Sequence, residues 1–189
     1  MSYLFKVDHV HPWAYWDNLF TEDECKEIIK IGNLADKKNA TIGQGIISKD
    51  SRICKTSWIK YCKDNKFIYK KISEAVMHLN KNFFNFDLTG FMDDFQFTEY
   101  NEPDNFYGYH TDSSYNEIVR KLSVTLQLTP QDQYEGGDLE LLYQSKPIKM
   151  EKSVGKLIVF PSYTLHRVLP VTKGTRHSLV GWVNGPPFK

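Results

Sequence analysis

The chain has 189 residues, 41% hydrophobic and 14% aromatic, which suffices for one domain with a real core. Its formal net charge of +1 gives no overall bias toward nucleic acid or an anionic membrane. No run approaches the ~18–20 apolar residues of a membrane span. The start, Met1-Ser-Tyr-Leu-Phe, lacks the pattern of a cleaved signal. Cys25, Cys54 and Cys62 include no Cys-x-x-Cys pair, which argues against a disulfide framework or a zinc knuckle. These features predict a soluble protein of the reducing cytoplasm.

In chain order, His9-Val-His11-Pro comes first. It has the spacing of a metal pair, but a wet strand or loop with incidental histidines is the plainer reading, and Pro12 disfavours a regular strand. Thr21-Glu-Asp-Glu24 is a capping box, and Cys25, Ile28, Ile29 and Leu34 follow at helical spacing, predicting a helix over 22–35. Arg52 to Tyr61 reads as a strand. The stretch from Gly32 to Asp64 is weakly periodic and contains glycine, which suits either a substrate lid or ordinary loop. The basic run from Lys60 to Lys71 reads as a solvated helix face. Phe67, Ile68, Ile72, Ala75, Val76, Leu79 and Phe83 predict a second amphipathic helix over 66–82.

From residue 88 the hydrophobic period changes to two. Phe95 and Phe97 alternate with Gln96, Thr98 and Tyr100. Leu122, Val124, Leu126 and Leu128 alternate with Ser123, Thr125, Gln127 and Thr129. Leu179 and Val183 share their run with Arg176, Ser178, Val180 and Trp182. Each strand has one apolar and one polar face. Either the polar faces meet bulk water, or the apolar faces pack on the helices and the polar faces line a wet pocket. Gly136-Gly137 suits a turn or bulge, Leu157 to Phe160 is a strand closed by Pro161, and many short strands suggest a sandwich or barrel. His166 and Arg176 head two strand-like runs joined by Lys173-Gly-Thr175, which predicts a β-hairpin.

His110 and Asp112 are two apart at a strand end, so both side chains share a face. His166 comes from a distant strand. Two histidines and one carboxylate form the facial triad of non-haem Fe(II) oxygenases, which leaves adjacent metal positions open. If those positions hold 2-oxoglutarate, its far carboxylate needs a cation, and Arg176 is a planar bidentate partner with the Ser178 hydroxyl beside it. Taken singly, each residue has a blander reading: His-x-Asp arises by chance, and Arg176 suits a surface ion pair.

The segment from about Phe91 to Trp182 resembles the Fe(II)/2-oxoglutarate-dependent oxygenases, specifically the prolyl 4-hydroxylase-like branch with its bacterial and phage PKHD-type hydroxylases. The resemblance is carried by Tyr107-Gly-Tyr-His-Thr-Asp112, Arg120-Lys-Leu-Ser-Val-Thr-Leu-Gln-Leu128, Tyr134-Glu-Gly-Gly-Asp-Leu-Glu-Leu141 and the run from Phe160-Pro-Ser-Tyr-Thr-Leu-His166 to Arg176. It implies an α+β fold: a double-stranded β-helix, or cupin-like jelly roll, over about 91–185. Helical support over about 21–83 would pack on the outer face of one sheet, all within one domain of 1–189. It implies iron ligands at His110, Asp112 and His166, and a cosubstrate anchor at Arg176. Tyr100 matches a cosubstrate-contacting tyrosine, and Leu139 an apolar residue bordering the cosubstrate chain. Tyr107, Arg120 and Trp182 match positions that face the substrate prolyl residue. Where several prolyl hydroxylases have a tyrosine helping to bind the cosubstrate carboxylate, this chain has Gln127, whose amide can still donate.

The activity so implied is hydroxylation of a prolyl residue in a peptide or protein, using Fe(II), 2-oxoglutarate and O2, with release of succinate and CO2 and with ascorbate as reductant. Two other readings stay open: the same chemistry on a free amino acid, another small molecule, another side chain or a nucleobase, or a non-catalytic cupin-like metal-binding module. The near-zero charge argues against nucleic acid.

Overall fold

A computed structural model of the chain describes residues 10–41, 48, 50–113 and 119–188. His9 lies outside them, as do residues 42–47 and 49 of the expected lid. Strand β1 (Ala14–Trp16) precedes helix α1 (Glu22–Leu34). Strands β2 (Lys38–Asn39), β3 (Arg52–Ile53) and β4 (Lys55–Ile59) lead to helix α2 (Lys66–Leu79), which ends in a π-helical turn at Asn80–Phe84. The rest is strand and connection: β5 (Gly90–Phe91), β6 (Phe95–Asn101), β7 (Asn105–His110), β8 (Val119–Gln127), β9 (Tyr134–Gly136), β10 (Leu139–Tyr143), β11 (Lys146–Lys149), β12 (Leu157–Pro161) and β13 (His166–Gly185).

Both helices form where the sequence places them. The capping box at α1 is reciprocal: the Glu24 N–H donates to Thr21 Oγ1 at 3.2 Å, and the Thr21 N–H donates to Glu24 Oε2 at 2.8 Å. The buried faces of α1 and α2, including Cys25, Ile28, Ile68, Ile72 and Leu79, pack into one core with Phe95, Phe97, Leu122, Val124, Leu126, Leu179 and Val183. Those strand residues are the apolar alternates of β6, β8 and β13, so the helices cover one face of that sheet. Approach is closest at Gly32 of α1, where an added Cβ would lie 2.3 Å from the Phe97 ring. In the basic run, Lys66 and Lys70 are exposed, whereas Lys71 turns back to ion-pair with Glu24 at 2.6 Å.

The larger sheet has the order β1-β12-β8-β13-β6-β4-β2. The smaller sheet is built on the first half of β13. Val171 there pairs with Asn105 of β7 and with Gly136 of β9, so those strands occupy opposite edges. β10 joins the same half of β13 and carries β11, while β3 extends β7. This is the expected double-stranded β-helix with helices on the outside of one sheet. The strand expected over Arg52 to Tyr61 forms in two pieces, β3 and β4, and β2 adds to them: β2 and β4 join the larger sheet and β3 the smaller. Among the described residues, no helix is long and apolar enough to cross a membrane.

The expected hairpin at Lys173-Gly-Thr175 does not form. His166 to Gly185 is one 20-residue strand that leaves the smaller sheet and enters the larger. Gly174, at φ 72°, bends the strand without ending it. Its N–H donates to the Glu102 carboxylate at 2.7 Å and it pairs with Tyr134, and the next residue, Thr175, already pairs with Asn101 of β6. The strand keeps partners through the bend, so no reversal follows.

Candidate metal centre

The polar faces of the strands line a cavity of about 1200 Å³ between the sheets. Gln96, Thr98, Tyr100, Thr125, Arg176, Ser178 and Trp182 all contribute, which settles the orientation of the alternating strands in favour of a wet interior. At one end stand His110, Asp112 and His166. His110 closes β7 and is the direct cross-strand partner of His166 at the start of β13. Asp112 lies just beyond β7, where its N–H and that of Ser113 both donate to Ser162 O, at 2.9 and 3.1 Å. This clamp returns the chain onto the connection between β12 and β13. The ligand atoms of the three side chains lie within 4.8 Å of one another. His110 Nε2 is 3.7 Å from Asp112 Oδ1, and His166 Nε2 is 3.5 Å from Asp112 Oδ2.

Backbone carbonyls set the imidazole tautomers. His110 Nδ1 is 2.8 Å from Gly108 O, and His166 Nδ1 is 3.0 Å from Thr164 O. A carbonyl only accepts, so each Nδ1 carries a proton, and each Nε2, the atom left for a metal, faces Asp112. Ser123 Oγ donates to Asp112 Oδ2 at 2.7 Å and touches Ser162 Oγ at 3.0 Å, which fixes the carboxylate plane. Burial and the neighbouring His166 push His110 down to about 4, so it is neutral at pH 7. Burial alone would raise Asp112, but His166, His110 and the Ser123 bond together hold it below its ordinary range. Two imidazoles and one carboxylate without thiolate fit an octahedral Fe(II) with open positions.

Further along the same wall, Arg176 is only 1% exposed. Tyr100 on β6 is its cross-strand partner, with the guanidinium 5.4 Å from that ring. Arg176 Nη1 donates to Ser178 Oγ at 3.3 Å and Nη2 to Gln127 Oε1 at 3.1 Å, while Nε has no partner among the described residues. Nor does any described carboxylate form an ion pair with it. A buried cation held only by neutral groups is costly unless an anion completes it. The site therefore fits a carboxylate-bearing ligand as well as a metal.

The other expected residues also meet here, with one exception. Leu139 lines the cavity beside Val168. Tyr107 stacks on His110, ring centroids 3.5 Å apart. Arg120 lies 4.0 Å over the Trp182 ring and donates to Asp93 at 2.8 Å. Trp182 Nε1 is buried and unpaired among the described residues. Gln127 is not in the cavity wall: its amide oxygen accepts from Arg176, so it orients the arginine from behind rather than presenting a donor to a ligand. Of the other open motifs, His11 packs edge-on against Phe83, 5.2 Å between centroids, and is not part of the His-Asp-His cluster. The described part of the expected lid supplies Thr41, Arg52 and Trp58 to the cavity wall.

Sequence reasoning missed Ser123, Ser162, Gly137 and Arg52. Ser123 lay on the recognised polar face of β8, but its partner could not be read without the fold. At Gly137, φ 62°, a Cβ would sit 3.0 Å from Arg176 Cδ, so the glycine pair makes room for the arginine as well as for the turn.

Residues 95–184 match the family model of the 2OG-Fe(II) oxygenase superfamily. A PKHD-type hydroxylase of Synechococcus sp. (strain CC9311) is 44% identical over 85 residues, 43% of this chain and 38% of that protein. The chain thus spans well under half the length of the curated relatives it matches. Among solved structures, a Pseudomonas putida prolyl-4-hydroxylase superposes with a TM-score of 0.73 at 22% identity, over 94% of each chain. A Trichoplax adhaerens prolyl hydroxylase in complex with a hypoxia inducible factor oxygen degradation domain peptide fragment gives a TM-score of 0.77 at 22% identity, over 92% of this chain and 84% of that one. These likenesses support the fold. The sequence matches over the strand-rich half and the His-Asp-His cluster make that half similar to the 2OG-Fe(II) oxygenase superfamily.

Proposed function

We propose that this protein is an Fe(II)- and 2-oxoglutarate-dependent dioxygenase that hydroxylates a prolyl residue in a peptide or protein. One observation carries the reading: a preformed His-Asp-His cluster shares its cavity with a buried arginine that lacks a counter-ion among the described residues. His110, Asp112 and His166 hold the metal through Nε2, a carboxylate oxygen and Nε2. Arg176 binds the far carboxylate of 2-oxoglutarate, with Ser178 beside it and Gln127 steadying the guanidinium. Tyr100 and Leu139 border the cosubstrate. Bound iron, 2-oxoglutarate and O2 together supply oxidative decarboxylation to succinate and CO2 coupled to oxygen insertion into a C–H bond, with ascorbate keeping the iron ferrous.

Tyr107, Trp182 and Arg120 face the substrate. The first two supply flat apolar surface next to the metal ligands, and the cation over Trp182 fixes that ring. A peptide substrate fits the wide, two-walled cavity and the peptide-bound Trichoplax relative. The free thiols of Cys25, Cys54 and Cys62 suit the reducing cytoplasm.

The test is a panel of proline-containing peptides incubated with Fe(II), 2-oxoglutarate, ascorbate and air. We expect succinate formation with a gain of one oxygen atom on proline. Robust turnover with a free amino acid, a nucleobase or another side chain, and none on any proline peptide, would replace the substrate assignment while keeping the chemistry.

A further inference from the structure

Arg52 is a third arginine in the cavity wall beside Arg120 and Arg176, 7% exposed and outside the roles assigned above. Its Nε donates to Cys54 Sγ at 3.0 Å, Nη2 to Gln96 Oε1 at 2.9 Å and Nη1 to Thr41 O at 3.4 Å. All three partners are neutral acceptors, and no described carboxylate pairs with it. A guanidinium has five N–H donors, so two remain unassigned by these contacts. The guanidinium carbon lies 4.3 Å over the Tyr107 ring, and Tyr107 stacks on His110 at 3.5 Å. Guanidinium, phenol ring and metal-ligand imidazole thus form one stack, with Arg52 at its outer end.

Charge in the cavity argues what Arg52 is for. The charged side chains in the described wall are Arg52, Asp93, Asp112, Arg120 and Arg176, with the two histidines beside Asp112. Arg120 and Asp93 neutralise each other. Among the described residues, a divalent metal on Asp112 and the two anions of 2-oxoglutarate, one of them against Arg176, would still leave one positive charge uncompensated. That charge is on Arg52, in a site where an unpaired ion is costly.

We propose that Arg52 is a substrate anchor that binds a carboxylate carried by the substrate close to the carbon being hydroxylated. This rests on the Fe(II)/2-oxoglutarate reading above and narrows its substrate class to acidic ones. The stack keeps the anchor near the metal ligands, and extended chain advances ~3.3–3.6 Å per residue. The carboxylate therefore belongs to the target residue itself or to one about two residues away. It comes from an Asp or Glu side chain within a peptide, or from the terminal carboxylate of a C-terminal or free amino acid.

The test measures binding, not turnover, by titration calorimetry on protein loaded with Mn(II) and 2-oxoglutarate without oxygen. One arm compares peptides with Asp or Asn flanking proline. A second compares a C-terminal prolyl acid with its amide, and a third compares N-acetylproline with its methylamide. In at least one arm the acid should bind about ten- to a hundredfold tighter, the range for a charge-assisted hydrogen-bonded pair. That preference should shrink toward unity in Arg52→Gln and persist largely in Arg52→Lys. If Arg52 only braces the strands, Arg52→Gln will weaken acid and amide alike, which overturns the proposal. Equal binding of acid and amide in every arm by the unaltered protein, or no binding in any, overturns it without any variant. Failure of the protein to form a visible Fe(II)/2-oxoglutarate absorption band would instead overturn the cosubstrate reading beneath it.

Discussion

The two halves of the site are tuned by different means at the residue scale. The imidazoles are prepared by backbone carbonyls and Asp112 by Ser123, while Arg176 is prepared by neutral partners that leave its charge unspent. Arg176→Ala should raise the KM for 2-oxoglutarate by about ten- to a hundredfold, the loss expected for a hydrogen-bonded charge partner. Metal affinity, read by chelator competition, should change little. An unchanged KM would mean that the anchor is elsewhere. Acid should act through His110 in the metal-free protein. Burial and His166 hold it at about 4, below its ordinary 6.5. The unfolded chain therefore binds more protons between those values, and stability falls as pH drops from about 6.5 toward about 4. Asp112, held below 3.8, adds a loss at still lower pH. Urea denaturation across this range should show the slope, and His110→Gln should flatten it. A slope unchanged in that variant would assign the acid sensitivity to other groups.

Close approach and continuity organise the elements. Helix α1 meets the larger sheet at Gly32 over Phe97. Gly32→Ala gains helix propensity but drives a methyl into a fully buried ring, and overpacking of that kind costs ~1–3 kcal/mol. A net loss in thermal midpoint is expected; a gain would mean that α1 can shift outward freely. The helices and the period-two strands were legible because their buried faces repeat, and the triad because His110 and Asp112 share a face. The hairpin was misread at Lys173-Gly-Thr175 because turn composition cannot show that Glu102 and Tyr134 hold both sides of the bend. Arg52 was missed as a site residue because the strand read over Arg52 to Tyr61 does not show which of its side chains enter the cavity. Gln127 faces the guanidinium instead of a ligand, an orientation set by the pairing of its strand with Ser178.

Across the whole molecule, one long strand unites the chemistry. β13 supplies His166 to the smaller sheet, then crosses to the larger sheet and supplies Arg176, Ser178 and Trp182. The spacing of His166, the buried Arg176 and the Trp182 wall is therefore written into a single backbone, with β7 and β8 bringing His110 and the Asp112-bound Ser123 against it. The most direct measurement is anaerobic addition of Fe(II) and then 2-oxoglutarate, followed by visible absorption. A charge-transfer band should appear only with both present, and it should be lost in His166→Ala and in Asp112→Ala. Admission of air should then yield succinate. A band that survives loss of either ligand, or no band in the unaltered protein, would contradict the assignment of this cavity as an Fe(II)/2-oxoglutarate centre.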